Sequence, residues 1–91
     1  MIEVKSFNLD AIGYLPIYAP RHAYVVEIVN TSAVMMNLRS NPSDAGTQIS
    51  MLPGETKKFE STKNTAIYDP NQVLFYAILA SGTGVVKVIA H

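Results

Sequence analysis

Short runs of β-forming residues, separated by turn residues, fill residues 23–59 of this chain and leave no room for a helix. Within each run apolar and polar side chains alternate, as they do in strands that have one face in a core and one in solvent. The same pattern continues on both sides of this segment. It predicts an all-β fold, in which residues 8–12 are the one place where a helical turn is expected.

Eight or nine short antiparallel strands are predicted, joined by turns rich in Pro, Gly, Asn and Asp. The candidate strands are residues 2–7, 13–18, 22–29, 34–39, 47–52, 56–60, 65–68, 73–79 and 85–90. Pro16 has no N–H to offer a sheet ladder, which confines its run to an edge strand or an extended arm. The run 73–79 is apolar on both faces, which suits a strand buried on both sides.

The alternation also assigns side chains to the interior or to the surface. The inward set of the strands in residues 22–39 and 56–60 is predicted to be Tyr24, Val26, Ile28, Val34, Met36, Leu38 and Phe59. Met35 and Val25 must then face the other way. Glu27 lies between two valines on that second face, where we expect it to pair with Lys87 or Arg39 across strands, or with another subunit.

Turn residues fix the connections between these strands. Residues 52–55 predict a type II turn, because Pro53 presets the first central φ and Gly54 supplies the positive φ of the second. Pro42 suits the second position of a type I turn, and residues 81–84 are typical of a hairpin. The Asn-Thr-Ser run at residues 30–32 matches a glycosylation sequon but is interpreted as turn chemistry.

Taken together, these strands and turns predict a single-domain β-sandwich of jelly-roll type over residues 1–91. Residues 1–21 are expected to form either an N-terminal arm or an edge strand.

Charged residues are scarce for so small a domain. They make up 15% of the chain, while 48% of its residues are hydrophobic, and an ordinary soluble domain has about 25% charged residues. A domain of this size buries a thin core, so association is a natural reinforcement. We therefore expect part of the surface to be buried against other subunits, in a homo-oligomer.

The balance of residue types argues against several classes of function. Seven basic and seven acidic residues cancel, so no basic stripe is available for nucleic acid or an anionic membrane. No cysteine is present, which removes disulfides and thiolate zinc sites. The longest uncharged apolar stretch, residues 73–80, is far too short to span a bilayer. No nucleic acid, membrane or cofactor is expected to bind.

Catalytic and metal-binding constellations are also lacking. His22 and His91 are the only histidines, and no spacing sets either one against a nucleophile and an orienting acid. Pairing of His22 with Asp10 or Asp44 has no support in the sequence. The loop at residues 41–44 lacks the fixed alternation of a calcium-binding loop. The protein is therefore not expected to be an enzyme.

A second apolar surface is predicted outside the core. Its candidate members, Val25, Met35, Tyr76 and Ile78, alternate with the inward residues of their strands. A contiguous exposed apolar patch marks an interface. These four residues are the predicted contact between subunits of the oligomer.

Three turn motifs in residues 22–90 resemble those of small virion proteins of tailed bacteriophages, among them capsid decoration (cement) proteins and related head or tail β-domains. The matching features are residues 30–32 after an apolar strand, 53–55 opening the next, and 81–84 before a final valine-rich strand. The resemblance implies a homotrimer on the surface of a phage head that clamps the major capsid protein and performs no catalysis. Residues 1–21 lie outside the resemblance, and the aromatic residues Phe7, Tyr14 and Tyr18 within them are the candidate capsid contact.

A rival interpretation is a carbohydrate-binding or receptor-binding module of a phage tail fibre. Its basis is the five tyrosines, whose rings can stack on sugar faces, while the absence of tryptophan counts against it.

Overall fold

The computed structural model describes residues 2–61 and 67–91, and within them eight strands and one short 3₁₀ helix. The strands are β1 (Glu3–Asp10), β2 (Leu15–Tyr18), β3 (Val25–Asn30), β4 (Met36–Arg39), β5 (Ile49–Met51), β6 (Thr56–Glu60), β7 (Val73–Leu79) and β8 (Thr83–Ala90). The 3₁₀ helix is Ala45–Thr47. The predicted all-β class is confirmed.

The strands form two four-stranded antiparallel sheets. Sheet A has the order β1-β8-β3-β6, and sheet B has the order β2-β7-β4-β5. The first strand therefore pairs with the eighth, the second with the seventh, the third with the sixth and the fourth with the fifth. This nested pairing is that of one long antiparallel ribbon wrapped into two sheets, which is a jelly roll. The predicted β-sandwich of jelly-roll type is confirmed.

Inward side chains of both sheets fill the space between them. The buried apolar residues are Leu9, Ile17, Ala19, Ala23, Val26, Ile28, Met36, Leu38, Met51, Ala77, Leu79, Val86, Val88 and Ala90. Those within strands follow the two-residue period, so the inward assignment of Val26, Ile28, Met36 and Leu38 is confirmed. Phe59 and Val34 pack against this core as partly buried residues.

Two of the predicted turns form as expected. The N–H of Glu55 donates to the carbonyl of Leu52 at 3.0 Å, and Gly54 between them has φ of 79°. This turn carries the chain from β5 in sheet B to β6 in sheet A. In the other, the Asp44 N–H donates to the carbonyl of Asn41 at 3.0 Å, with Pro42 in the second position.

The turn at residues 81–84 is not a hairpin. It joins β7 in sheet B to β8 in sheet A, so the two strands that it connects do not pair with each other. Gly82 has φ of 66° there. A tight turn has the same local residues whether it joins two paired strands or two strands of different sheets. Here the long-range pairing of β8 with β1 and β3 places β8 in the other sheet.

Two local predictions fail. The helical turn expected at residues 8–12 is absent, because β1 continues to Asp10 in unbroken register with β8; the helical turn is instead Ala45–Thr47. Tyr24 is exposed, and Ala23 beside it is buried, because the chain bends at residue 24 between an isolated bridge at Ala23 and the start of β3. The bend resets the alternation on which the assignment rested.

The first two residues of the predicted strand 65–68 lie outside the described part of the chain. Its last residue, Tyr68, forms an isolated antiparallel bridge with Ala23. The first 21 residues supply the edge strands β1 and β2, one to each sheet. This segment was expected to be either an N-terminal arm or an edge strand, and in the structure it forms edge strands.

Candidate interaction surfaces

The outward positions of sheet A form an apolar surface across its two central strands. These positions are Val85, Lys87 and Ile89 in β8 and Val25, Glu27 and Val29 in β3. Four of these six are β-branched apolar residues, whereas the solvent face of an antiparallel sheet is ordinarily polar. The apolar character continues to the edge strand, where Val4 lies opposite Ile89. We call this surface the outer face of sheet A.

Charged groups lie among the apolar residues of this face. Glu27 contacts the imidazole of His91, which follows β8. Lys58 lies opposite Glu27 in β6, and Lys87 lies opposite Val29. The expected pairing of Glu27 with Arg39 is wrong, because Arg39 belongs to sheet B and Glu27 to sheet A. Glu27 therefore has a partner within this face, and four of the six outward groups of the central strands are apolar.

On sheet B, the corresponding outer face carries Tyr76 and Ile78 of β7. Tyr76 is opposite Arg39 and Ile78 is opposite Asn37 in β4. Met35 precedes β4 and accepts a hydrogen bond from the Ala80 N–H at 2.9 Å, which continues the register beyond the strand. Met35 is 39% exposed and Met36 is fully buried, so the predicted opposition of these two methionines is confirmed.

Arg39 holds together three segments at the border of this face. Its Nε and Nη2 donate to the amide oxygen of Gln48 at 3.0 and 2.8 Å, and its Nη1 donates to the carbonyl of Pro42 at 2.8 Å. The guanidinium lies 4.9 Å from the centre of the Tyr14 ring. A planar guanidinium makes such hydrogen bonds and a ring contact at the same time, which a lysine cannot do. Tyr14 is thereby fixed beside the outer face of sheet B.

The structure divides the four residues predicted as the oligomer contact. Met35, Tyr76 and Ile78 share the outer face of sheet B, and Val25 lies on the outer face of sheet A. Contacts through opposite faces stack copies into an open array, since a closed three-fold ring needs its two patches about 60° apart. The four residues therefore do not form one surface of a trimer.

The candidate capsid contact is also divided. The rings of Phe7 and Tyr18 lie 6.3 Å apart, where the edge strands β1 and β2 of the two sheets meet. Phe7 packs against the core, and the ammonium of Lys5 lies 5.5 Å from its ring centre. Tyr14 is elsewhere, against Arg39. Phe7 and Tyr18 therefore help to close the side of the sandwich, and Tyr14 is the member of the set that borders an outer face.

Asn30 is a structural site that the sequence analysis missed. It is fully buried, and its Nδ2 donates to the carbonyls of Val34, Met51 and Leu52 at 2.8, 3.2 and 3.2 Å. Its Oδ1 accepts from the N–H and the hydroxyl of Ser32. Nothing in an Asn-Thr-Ser run distinguishes this arrangement from an exposed turn. Since the amide nitrogen is enclosed, the sequon is closed to modification in the folded protein.

His22 is paired with an acidic residue other than the two considered for it above. His22 lies 3.5 Å from Asp69, not near Asp10 or Asp44 as considered above, and its side chain is 57% exposed. Asp44 accepts from the N–H of Gly46, within its own loop. Across residues 2–61 and 67–91, no three His, Asp or Glu side chains converge as metal ligands would. No helix in that part of the chain is long and apolar enough to cross a membrane.

Comparison with known proteins adds no relative. No family model, no curated protein sequence and no solved structure matches the chain.

Proposed function

We propose that this protein is a non-enzymatic structural component of a bacteriophage virion, a homotrimeric decoration protein that binds the major capsid protein on the head surface. The observation that carries the proposal is the apolar outer face of sheet A. Four of the six outward positions on its central strands are half-buried apolar residues, which alternate with Glu27 and Lys87, and a surface rich in apolar residues is typical of a protein interface.

Decoration of a shell is a task for which this surface is suited. Stabilising a shell requires burial of area across several coat subunits, and the central part of an interface is depleted in charge. In a trimer, three such faces act together, so that contacts of modest strength give a stable attachment. The small charged fraction of the chain fits a protein that works in an assembled state.

The two outer faces are assigned different roles in this proposal. The outer face of sheet A meets the capsid, and Val29, opposite Lys87, is one of its apolar residues. The outer face of sheet B, with Met35, Tyr76 and Ile78, supplies one side of the trimer contact. This division replaces the two contacts expected from the sequence, which were a subunit contact that included Val25 and a capsid contact through the N-terminal segment. Tyr14 belongs with the outer face of sheet B, because Arg39 fixes it there.

The decisive test uses particles of the phage whose genome encodes the chain. Mass spectrometry of purified particles is expected to detect the protein in a fixed ratio to the coat protein. Recombinant protein is then added to particles lacking it, and binding is measured by co-sedimentation. Val29→Lys is expected to abolish binding, and Ile12→Lys, at a 93% exposed position in the loop between β1 and β2, to retain it. Absence from the particles, or full binding by Val29→Lys, overturns the proposal.

Recognition of a carbohydrate is the second candidate function, and the outer face of sheet B is the observation that favours it. Tyr14 and Tyr76 border this face, together with the amide of Asn37 and the hydroxyl of Ser50, which hydrogen-bond each other at 2.8 Å. Aromatic rings next to amides and hydroxyls suit a sugar. A glycan array with no signal from the wild-type protein excludes this function; a signal that Tyr76→Ala removes supports it.

A further inference from the structure

We propose that the β1 strands of two copies pair antiparallel about a two-fold axis at Val4, which joins their A sheets into one continuous eight-stranded sheet. Within the described residues, β1 pairs only with β8 and its other edge is open. An open edge presents unpaired N–H and C=O groups, which a second strand can satisfy.

Each of the other three edges carries a feature that discourages such pairing. Edge β2 has four residues and contains Pro16. Edge β5 has three residues. Edge β6 carries two consecutive lysines, Lys57 and Lys58. Short edges, proline and lysine are the features by which proteins prevent edge pairing. Strand β1 carries one lysine, Lys5, but it differs from the other edges in having eight residues, no proline and an unbroken register with β8.

The sequence of β1 is complementary to itself in one register. When two copies pair antiparallel with Val4 opposite Val4, Glu3 of each copy lies opposite Lys5 of the other. Two cross-strand pairs of opposite charge then form on the same side of the sheet. A register centred on Phe7 would set Lys5 against Leu9 and would leave Glu3 without a basic partner. Charge complementarity therefore selects Val4 as the centre.

Apolar side chains on the outward side of β1 support the same register. Val4 is 54% exposed and Ile2 is 63% exposed, and both alternate with the inward residues of their strand. In the pair, the two Val4 side chains meet and Ile2 lies opposite Ser6 of the second copy. Val4 already lies opposite Ile89, so the outer faces of the two A sheets become one surface across the axis.

This pairing does not depend on the proposed function. It acts through a sheet edge, whereas the trimer contact and the capsid contact use sheet faces. Pairing doubles the mass of the free protein, from one copy to two or from three copies to six. A trimer that never doubles would refute the pairing alone, and a simple dimer would refute the trimer alone.

Cysteine cross-linking tests the register directly, because the chain has no cysteine of its own. In Val4→Cys the two thiols face each other, within the Cα separation of about 4.4–6.8 Å that a disulfide spans. Ser6→Cys is the matched control on the same side of the same strand. Its two copies would stand four residues apart along the pair, about 14 Å, which no disulfide spans.

Mild oxidation is expected to convert most of Val4→Cys to a covalent dimer and to leave Ser6→Cys uncrosslinked. Equal cross-linking of the two variants, or none in Val4→Cys, overturns the proposal. Charge reversal provides an independent measurement by light scattering. Glu3→Lys is expected to halve the mass at low salt, because it sets a lysine opposite Lys5 of the other copy. The same substitution also removes the contact between Glu3 and Arg21, whose side-chain atoms lie 4.0 Å apart. The double variant Glu3→Lys/Lys5→Glu is expected to restore the mass, and failure to do so contradicts the register.

Discussion

The side-chain Nδ2 of Asn30, at the end of β3 in sheet A, donates a hydrogen bond of 3.2 Å to the carbonyl of Met51 in β5 of sheet B. The backbone of Asn30 adds two further links, because its N–H donates to the carbonyl of Glu55 and its carbonyl accepts from the N–H of Gly54. One buried residue therefore ties together both sheets and the turn between β5 and β6. A fully satisfied buried polar group of this kind specifies one arrangement of the strands around it.

Replacement of Asn30 by alanine is expected to lower the free energy of unfolding by about 3 kcal/mol. The carbonyls of Val34, Met51 and Leu52 lose the amide donor, and Asn30 itself is fully buried. Val34 and Leu52 each keep a second donor, the Ser32 hydroxyl and the Glu55 N–H. Asn30→Asp is expected to cost more, since a carboxylate would face the same carbonyl oxygens. Urea unfolding followed by circular dichroism measures both changes. Asn37→Ala, at a half-buried outward position, is the control and is expected to change stability by less than about 0.5 kcal/mol.

Position 84 requires glycine, because its backbone lies too close to Ser32 to leave room for a side chain. A Cβ built on Gly84 would lie 2.6 Å from the Cβ of Ser32 and 3.2 Å from Cδ1 of Leu79. Ser32 cannot move aside easily, since its hydroxyl bonds the Asn30 side chain at 2.6 Å. Gly84→Ala is therefore expected to destabilise the protein by about 1–3 kcal/mol, measured as a shift in the urea midpoint.

Gly13→Ala is the matched control for Gly84→Ala, because a Cβ there meets nothing within 4 Å. In the double variant Ser32→Gly/Gly84→Ala the clash is removed together with the hydroxyl bonds. Its loss of stability should be smaller than the sum of the two single losses, as expected for residues in contact. Strict additivity would show that the close approach is not the cause.

Acid sensitivity is expected at the turn between β5 and β6. The backbone N–H of Leu52 donates to the Glu55 carboxylate at 2.8 Å, and this bond, together with Lys57 at 3.2 Å, lowers the pKa of Glu55 below 4.5. A lowered carboxyl pKa stabilises the folded state above the unfolded-state value. That contribution is lost as the pH falls through the folded-state pKa. At pH 7, Glu55→Gln should therefore be less stable than the wild type, and the difference should shrink below pH 4.5.

Unfolding midpoints measured from pH 7 to pH 3 test this linkage. Lys57→Met separates the two causes, because it removes the ammonium and keeps the Leu52 N–H. Since the hydrogen bond from Leu52 is the larger cause, most of the pH-dependent difference should survive in that variant. A difference between Glu55→Gln and the wild type that is constant with pH would contradict the assignment.

The strands and tight turns were predictable because their causes are local. Pro53 and Gly54 define their turn by φ alone, and the alternation around Met36 and Leu38 reports which side faces the core. The pairing of strands was not predictable in the same way. Residues 81–84 have the composition of a hairpin, yet β7 and β8 belong to different sheets, and no residue in the turn encodes that choice.

The interaction surfaces were only partly predictable, for a related reason. Outward residues such as Val25 and Ile78 are identified by alternation, but alternation does not say which sheet each strand joins. Their separation onto opposite faces follows from the strand orders. Asn30 shows the same limit for the interior, since its hydrogen-bond partners at residues 51 and 52 lie 21 and 22 positions away in sequence.

Substitutions on the two outer faces are expected to differ in their effects on trimer assembly. In the proposed trimer, Ile78→Lys places an ammonium within the subunit contact, where desolvation of an unpaired charge is costly. The mass from light scattering is expected to fall threefold, while circular dichroism shows an intact β fold. Val29→Lys makes the same change on sheet A and is expected to keep the mass of the wild type. If both variants keep it, the outer face of sheet B is not the trimer contact; if the wild type itself is monomeric at micromolar concentration, there is no trimer for either face to support.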